Sequence, residues 1–576
     1  MESVKKFLEK SINNWTKDNL EKLNLFGTEN ILFGFDRNDK KLIKEFGNVK
    51  MVIYFTKNNK KFTFSADIYE IILQHIKSLP SFSQYFTRVN LKYPFINFFI
   101  SDKFVIGQMK EINNDFGRGK ELKNKKVILE YTNPNPFKEF HIGHLMSNTI
   151  GESLSRIFEF QGAKVRRVCY QGDVGIHIAK AIWGIIKGQP TKLLGTAYEY
   201  GSKMYEENEN AKKEIVALNK KIYQRSDKEI NKIYDEGKKL SLEHFDEIYK
   251  KLGTKFNYFI FESQVSNLGK KIVEKGLKNG IFEKSEGAVV LKGEKYGFHT
   301  RVFVNSEGLP TYEAKDLGLA EMKYKKYAYD KSFVVTGNEV NEYFKVVLCA
   351  MAQTNYNLSK KTKHIGHGML RLPEGKMSSR TGKVVTLEFL LNEVEKKISE
   401  KMRNRYVSSS LAKTSEGKEK EKIVEKVAIG ALKYSILKQS IRSDIVYDFD
   451  KSISFEGDSG PYLQYSYTRA RSVLRKAKAV KIKPSFKNPP LKITSLEEMM
   501  YYFPDVVEKA SKYYEPHFVS LYLIELAGEF NSYYVKNKIV DKTDEFSPYK
   551  IAMTKAFSII MKNGLWLLGI ETLEKM

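Results

Sequence analysis

The stretch "KVILEYTNPNPFKEFHIGHLMSN", from Lys126 to Asn148, decides the fold. It opens on a β-rich run, "KVILEYT", and breaks in a Pro/Asn turn. At His141-Ile142-Gly143-His144 it passes into a segment, ending near Gln161, whose apolar residues recur at helical spacing. A second β-like run, "AKVRRVCY", follows. Strand, turn, helix, strand is one parallel βαβ unit of the doubly wound class.

The same tetrapeptide recurs at His364-Ile365-Gly366-His367, inside "KTKHIGHGMLRLPEGK". Phosphates dock where a strand ends and a helix begins, because unpaired N–H groups and the helix dipole face the anion. The first copy has a strand before it and a helix after it. The second meets Pro373 and Gly375 before a helix could complete two turns. It is therefore predicted to be a strand entering a loop, and a coincidental copy. "PEGKMSSRTGK" adds Lys376, Ser378, Ser379, Arg380 and Lys383 in a glycine-bounded basic segment suited to ATP phosphates.

Outward from this core, residues 1–119 alternate helical stretches ("DIYEIILQHIKSL") with strand-like ones ("VKMVIYFT", "FINFFIS"), which predicts a small α+β domain closed by the polar linker "NNDFGRGKELKNKK". Residues 120–392 resume the α/β pattern with "SFVVTG", "VNEYFKVVLCAMAQ" and "HIGHGML". A charged helical insertion at about 191–260 is predicted as a solvated excursion. From 393 to 576 long amphipathic patterns predict an all-α domain.

A chain of 576 residues with 42% apolar content supports several cores, consistent with three domains. No run of about 18 uncharged apolar residues appears, and the start "MESVKKFLEKSINNW" has neither signal nor transit character, so a cytoplasmic protein without a membrane span is expected. Cys169 and Cys349 fit neither a metal site nor a disulfide framework and are expected as buried thiols. The net charge of +28 suits a polyanionic partner, although a chain so rich in Lys, Asn and Ile throughout also carries a compositional bias.

With the first H-x-G-H run and the later K-M-S-S in this order, the chain resembles class I aminoacyl-tRNA synthetases, and among them the arginyl-tRNA synthetases. The resemblance rests on "PFINFFIS", "EYTNPNPFKEFHIGHL", "YQGDVGIHIAKAIWG", "TYEAKDLGLA", "GKMSSRTGKVVTLEFLL", "FEGDSGPYLQYSYTRAR" and "KNGLWLLGIETLEKM", in family order. It implies a Rossmann-like (HUP-type) catalytic domain, an N-terminal tRNA-elbow module and a helical anticodon-binding domain. It further implies ATP with Mg²⁺, L-arginine and tRNA(Arg) as reactants, and a monomer.

Carried onto this sequence, the resemblance assigns ATP to His141, Gly143, His144, Gly368, Met369, Lys376, Met377, Ser378, Ser379 and Arg380. Arginine falls to Glu130, Asn135, Tyr312 and Asp316, carboxylates being what an always-charged planar guanidinium requires. Ser379 stands where the common loop has a second lysine, and Lys138, three residues before His141, is placed to supply that charge. Val340 stands where many relatives carry Gln or His, with Glu339 as the candidate substitute. Tyr462, Tyr465 and Tyr467 among Arg469, Arg471 and Arg475 are the candidate tRNA contacts, since aromatics interleaved with cations suit unstacked bases and phosphates. Other class I synthetases, a non-catalytic tRNA-binding paralogue and a small nucleotidylyltransferase are the rival readings. They would require a basic or zinc-bearing pocket, decayed motifs and a shorter chain, respectively.

Overall fold

The structure, a computed structural model, describes residues 7–13, 30–37, 49–57, 60–63, 65–190, 194–373, 385–406 and 417–576. The chain divides into two compact units. One comprises Met1–Gly117, Arg469–Val506 and Glu525–Met561; the other comprises Arg118–Thr468, Val507–Ile524 and Lys562–Met576.

The first unit contains strands β1 (Asn30–Arg37), β2 (Val49–Lys57) and β3 (Lys60–Thr63), helix α1 (Ala66–Ser78), and strands β4 (Phe86–Lys92) and β5 (Phe95–Ile100). They form an antiparallel sheet in the order β1-β2-β5-β4, with β3 on β2. Helix α1 buries Tyr69, Ile72, Leu73 and Ile76, the period expected of an amphipathic helix.

The second unit contains the parallel sheet that the opening stretch predicts. Its elements are β6 (Lys126–Glu130), α2 (Ile142–Phe160), β7 (Lys164–Gln171), α3 (Ile176–Ile186), the inserted helices α4 (Leu194–Glu207), α5 (Glu209–Gln224) and α6 (Lys228–Lys251), then β8 (Tyr258–Phe261) and α7 (Glu262–Lys278). A small antiparallel sheet of β9 (Glu283–Ser285), β10 (Ala288–Leu291) and β11 (Arg301–Val304) precedes α8 (Tyr312–Lys326), β12 (Lys331–Gly337), α9 (Asn341–Thr354) and β13 (Thr362–His367). The parallel strands lie in the order β13-β12-β6-β7-β8. Glu130 is in register with Val334 on one side and Val168 on the other. Strands β6 and β12 are buried almost throughout, as strands covered on both faces must be. The strand order reverses between β6 and β12, and in open α/β sheets ligands bind beyond the carboxyl ends at that point.

The inserted helices are not a solvated excursion. Ala211, Ile215, Leu218, Ile222, Ile230 and Tyr234 close a core with Ile178, Ala181, Ile182 and Trp183 of α3, and Phe137 of the β6–α2 loop lies within it. Charged residues cover the outer faces of α5 and α6, and that was the only part of their pattern the charge-rich sequence displayed. From Leu387 onward the described elements are helices except for β15 (Ile445–Val446), which pairs with β14 (Leu370–Arg371). No helix among the described residues is long and apolar enough to cross a membrane. Cys169 is buried and Cys349 half-buried.

Candidate active site

His141 is the N-cap of α2, and the two histidines of the first run cap the helix reciprocally. The Gly143 N–H donates to His141 Nδ1 (3.1 Å), and the His141 N–H donates to His144 Nδ1 (3.1 Å). Because each Nδ1 accepts, each neutral ring carries its proton on Nε2. The rings stack with centroids 3.6 Å apart. Burial, then the Lys138 charge, lowers His141 to about 4, and burial holds His144 well below the ordinary histidine range. Both are therefore neutral at pH 7, and their Nε2–H groups have no protein acceptor among the described residues. The pair forms a neutral donor cradle at a helix N-terminus. A Cβ on Gly143 would lie 2.9 Å from the His141 ring, so glycine is required first by the imidazole beside it.

The loop into this cap is conformationally unusual. Thr132, Asn133 and Phe137 all have left-handed φ, of 76°, 51° and 65°. For a β-branched residue such as Thr132 this is an outlier costing ~1–3 kcal/mol, offset here by tight anchoring. Asn148 of α2 donates to Thr132 Oγ1 (3.0 Å), Asn133 Oδ1 accepts from the Tyr170 N–H (2.9 Å), and Asn135 Oδ1 accepts from the Gly172 N–H (2.8 Å). The Nδ2 group of Asn135 has no partner among the described residues.

The second run forms the last residues of β13, as predicted, yet it is not idle. His367 Nδ1 donates to the Gly368 carbonyl (2.7 Å), so its Nε2 accepts from Ser147 Oγ of α2 (2.8 Å). His364 stacks on Phe344 (centroids 4.1 Å apart) and bonds Thr336 Oγ1 (2.7 Å). This copy ties β13 to β12 and to the helix that the first copy caps. Gly368 and Met369 are backbone-bonded to Ile441 and Asp444, and Met369 is 41% exposed. Lys376, Met377, Ser378, Ser379, Arg380 and Lys383 lie outside the described residues. The chain just after them is fixed on the first run: Ile142 N–H donates to Val385 O (3.1 Å) and Leu387 N–H to Phe140 O (2.9 Å).

The two predicted arginine-binding carboxylates differ. Glu130 is buried and ion-paired with Lys323 (2.7 Å), with a hydrogen bond from Asn133 (3.3 Å). Asp316 has no cation within ion-pair distance among the described residues and accepts only from Tyr343 Oη (2.7 Å). Burial, then the Glu130 charge, raises its carboxyl to about 7. A guanidinium arriving here would relieve both penalties. Lys323, seven residues after Asp316 and so on the same face of α8, could have been found by helical spacing; nothing local marks Tyr343. Tyr312 is 55% exposed, with Lys315 Nζ 5.0 Å from its ring centroid. Lys315 pairs with buried Glu262 (2.6 Å). Asp173, in the "YQGDVGI" stretch, is fully buried and accepts from Tyr234, Lys238 and Ser263, joining the insertion to the sheet end. Val340 is the N-cap of α9 and makes no side-chain cap bond. Exposed Glu339 raises His141 and His367 electrostatically, opposing burial. Among the described residues no three His, Cys, Asp or Glu stand together as a metal cage.

Of the candidate tRNA contacts, Tyr467 is buried and bonds Glu574 (3.2 Å), so it is a packing residue. Arg469 lies over the Tyr534 ring (4.9 Å). Tyr462, Tyr465 and Arg471 are half-buried, and Arg475 is exposed.

Residues 109–449 match the family model for tRNA synthetases class I (R), catalytic domain, and residues 463–576 match that of the DALR anticodon binding domain. The arginine–tRNA ligase of Clostridium acetobutylicum is 33% identical over 85% of this chain and 88% of its own. That of Halothermothrix orenii is 30% identical over 88% and 90%. In solved structures the fold is that of the arginyl-tRNA synthetase of Thermus thermophilus (TM-score 0.76, 20% identity, 99% of this chain and 100% of that one). The Plasmodium falciparum enzyme shares it (TM-score 0.75, 21% identity, 98% and 99%). A neutral imidazole pair capping a helix at the reversal point of a parallel sheet, together with matches spanning both halves of the chain, leads to one conclusion: the chain belongs to the arginine branch of the class I tRNA synthetases.

Proposed function

We propose that the chain is an arginine–tRNA ligase that joins L-arginine to ATP as arginyl-adenylate, releasing pyrophosphate, and then passes arginine to the 3′-terminal adenosine of tRNA(Arg). The observation that carries this reading is a donor cradle with Nε2–H groups at His141 and His144 unspent among the described residues, accompanied by one carboxylate, Asp316, without a cation among them. In the first step the arginine carboxylate attacks the α-phosphorus and the bond to the pyrophosphate oxygen breaks. His141 and His144 donate to phosphate oxygens as neutral groups, so positive charge comes from Lys138, Lys376 and Arg380, with Gly143, Met377, Ser378 and Ser379 shaping the phosphate contacts. Gly368 and Met369 face the adenine. ATP enters as its Mg²⁺ complex, the ion riding on the phosphates as part of the substrate.

Asp316 and Tyr312 take the guanidinium end of arginine, and Asn135 Nδ2 donates to its α-carboxylate end. Glu130 acts through the local field rather than as a direct acceptor, since Lys323 already holds it. A neutral analogue would leave half-buried Asp316 without a cation, which disfavours it. The ribose 2′-hydroxyl of the terminal adenosine then attacks the adenylate carbonyl and AMP leaves. Residues 1–119 dock the tRNA elbow, 120–392 catalyse, and 393–576 read the anticodon loop through Tyr462, Tyr465, Arg469, Arg471 and Arg475. The protein works as a cytoplasmic monomer.

ATP–pyrophosphate exchange with each amino acid, with and without tRNA, tests the proposal. Exchange dependent on arginine and stimulated by tRNA is expected; exchange driven by another amino acid, or none under any condition, overturns it. Because Asp316 is pushed up to about 7 in the free protein, the KM for arginine should rise as the pH falls below about 7.

A further inference from the structure

A phosphate-neutralising lysine has two conflicting needs: its flexible stem must be held, yet a carboxylate holding it would cancel the charge it is to offer. Among the described residues no carboxylate lies within ion-pair distance of Lys138. Instead its Nζ sits 4.6 Å from the ring centroid of Tyr198, on the inserted helix α4. An aromatic face attracts a cation through its quadrupole without neutralising it.

We propose that Tyr198 is a positioning residue for Lys138, so that the insertion sets the geometry of the adenylation step. Residues on either side of Lys138 are held by the same insertion. The Phe137 N–H donates to Ser241 Oγ of α6 (2.9 Å), and its ring occupies the space a side chain on Gly237 would need. The Glu139 side chain fills the corresponding space over Gly195 of α4. Phe137 turns through left-handed φ just before Lys138, which gives the lysine its own direction out of the loop. Burial pushes the Tyr198 phenol up, but the nearby Lys138 charge brings it below its ordinary value, as expected for a phenol held beside an ammonium. Lys138 in turn bears electrostatically on both His141 and His144.

The inference rests on the role given to Lys138 above, and a double-mutant cycle separates the two. Exchange rates at saturating arginine, ATP and tRNA are measured for wild type, Tyr198→Leu, Lys138→Ala and the double variant, with Tyr198→Phe in both backgrounds and thermal unfolding of each protein. Tyr198→Leu should lower kcat about tenfold with KM for arginine unchanged. Tyr198→Phe, which keeps the ring, should retain most of the rate. Lys138→Ala should lose more, and neither Tyr198 variant should slow it further. An equal factor in both backgrounds, or a wild-type rate for Tyr198→Leu, overturns the positioning role while leaving the role of Lys138 intact. A wild-type rate for Lys138→Ala overturns both. If Tyr198→Leu fails to fold, Tyr198→Met, which fills similar space without an aromatic face, carries the same comparison in both backgrounds.

Discussion

The two H-x-G-H runs are identical in sequence and opposite in what their imidazoles have left to offer. In the first, backbone N–H groups occupy both Nδ1 atoms and leave two Nε2–H donors without protein acceptors among the described residues. In the second, His367 gives its Nδ1 proton to the Gly368 carbonyl and fills Nε2 with the Ser147 hydroxyl, while His364 is bonded to Thr336 and stacked on Phe344. A histidine's chemistry is set by which ring nitrogen the fold has already used. A helix start leaves N–H groups to be capped and so presents proton acceptors with work to do; a strand inside a sheet has spent its own.

Substitutions should separate the two runs sharply. His144→Ala removes one donor aimed at phosphate and should slow ATP–pyrophosphate exchange by roughly 10²–10³-fold. Comparable exchange by this variant and His367→Ala would erase the functional distinction. His367→Ala, by contrast, leaves the buried Ser147 hydroxyl and the Gly368 carbonyl without partners, and should lower unfolding free energy by ~1–3 kcal/mol in denaturant titration while exchange stays within about tenfold of wild type.

His364→Phe is the mildest change: it keeps the stack on Phe344 and loses one bond, at about 1 kcal/mol near pH 7. Burial lowers His364 to about 4, as it does His141. A folded state that binds fewer protons than the unfolded one has its full stability above the unfolded value near 6.5 and loses it as pH falls through 4. Stability should therefore drop with acid over that window, and His364→Phe should make the decline shallower. An unchanged slope would mean that His364 titrates alike in both states.

Much of the architecture could be read from the chain because it depends on local pattern. The β-rich "KVILEYT", the Pro/Asn turn and the apolar spacing after His141 specify a βαβ unit wherever they occur, and they distinguished the two tetrapeptides correctly as helix cap and strand end. The insertion read only as charged helix, because periodicity reports that a face is apolar and not what it packs upon; here it packs upon α3 and Phe137. The carboxylates were harder still. Glu130 and Asp316 look alike in sequence, and only the burial of Lys323 Nζ, 193 positions along the chain, commits one and leaves the other open.

By itself, then, the sequence determined the order of elements, the helix start at His141 and the set of residue types gathered at the sheet's reversal point. Tertiary structure decided their states: which imidazole nitrogens remain donors, which carboxylate lacks a cation among the described residues, and which aromatic ring stands beside Lys138. The physical reason is range. Backbone propensity and hydrophobic period act over a few residues, whereas hydrogen-bond satisfaction and desolvation depend on whichever groups the fold brings within about 3 Å, however distant in the chain.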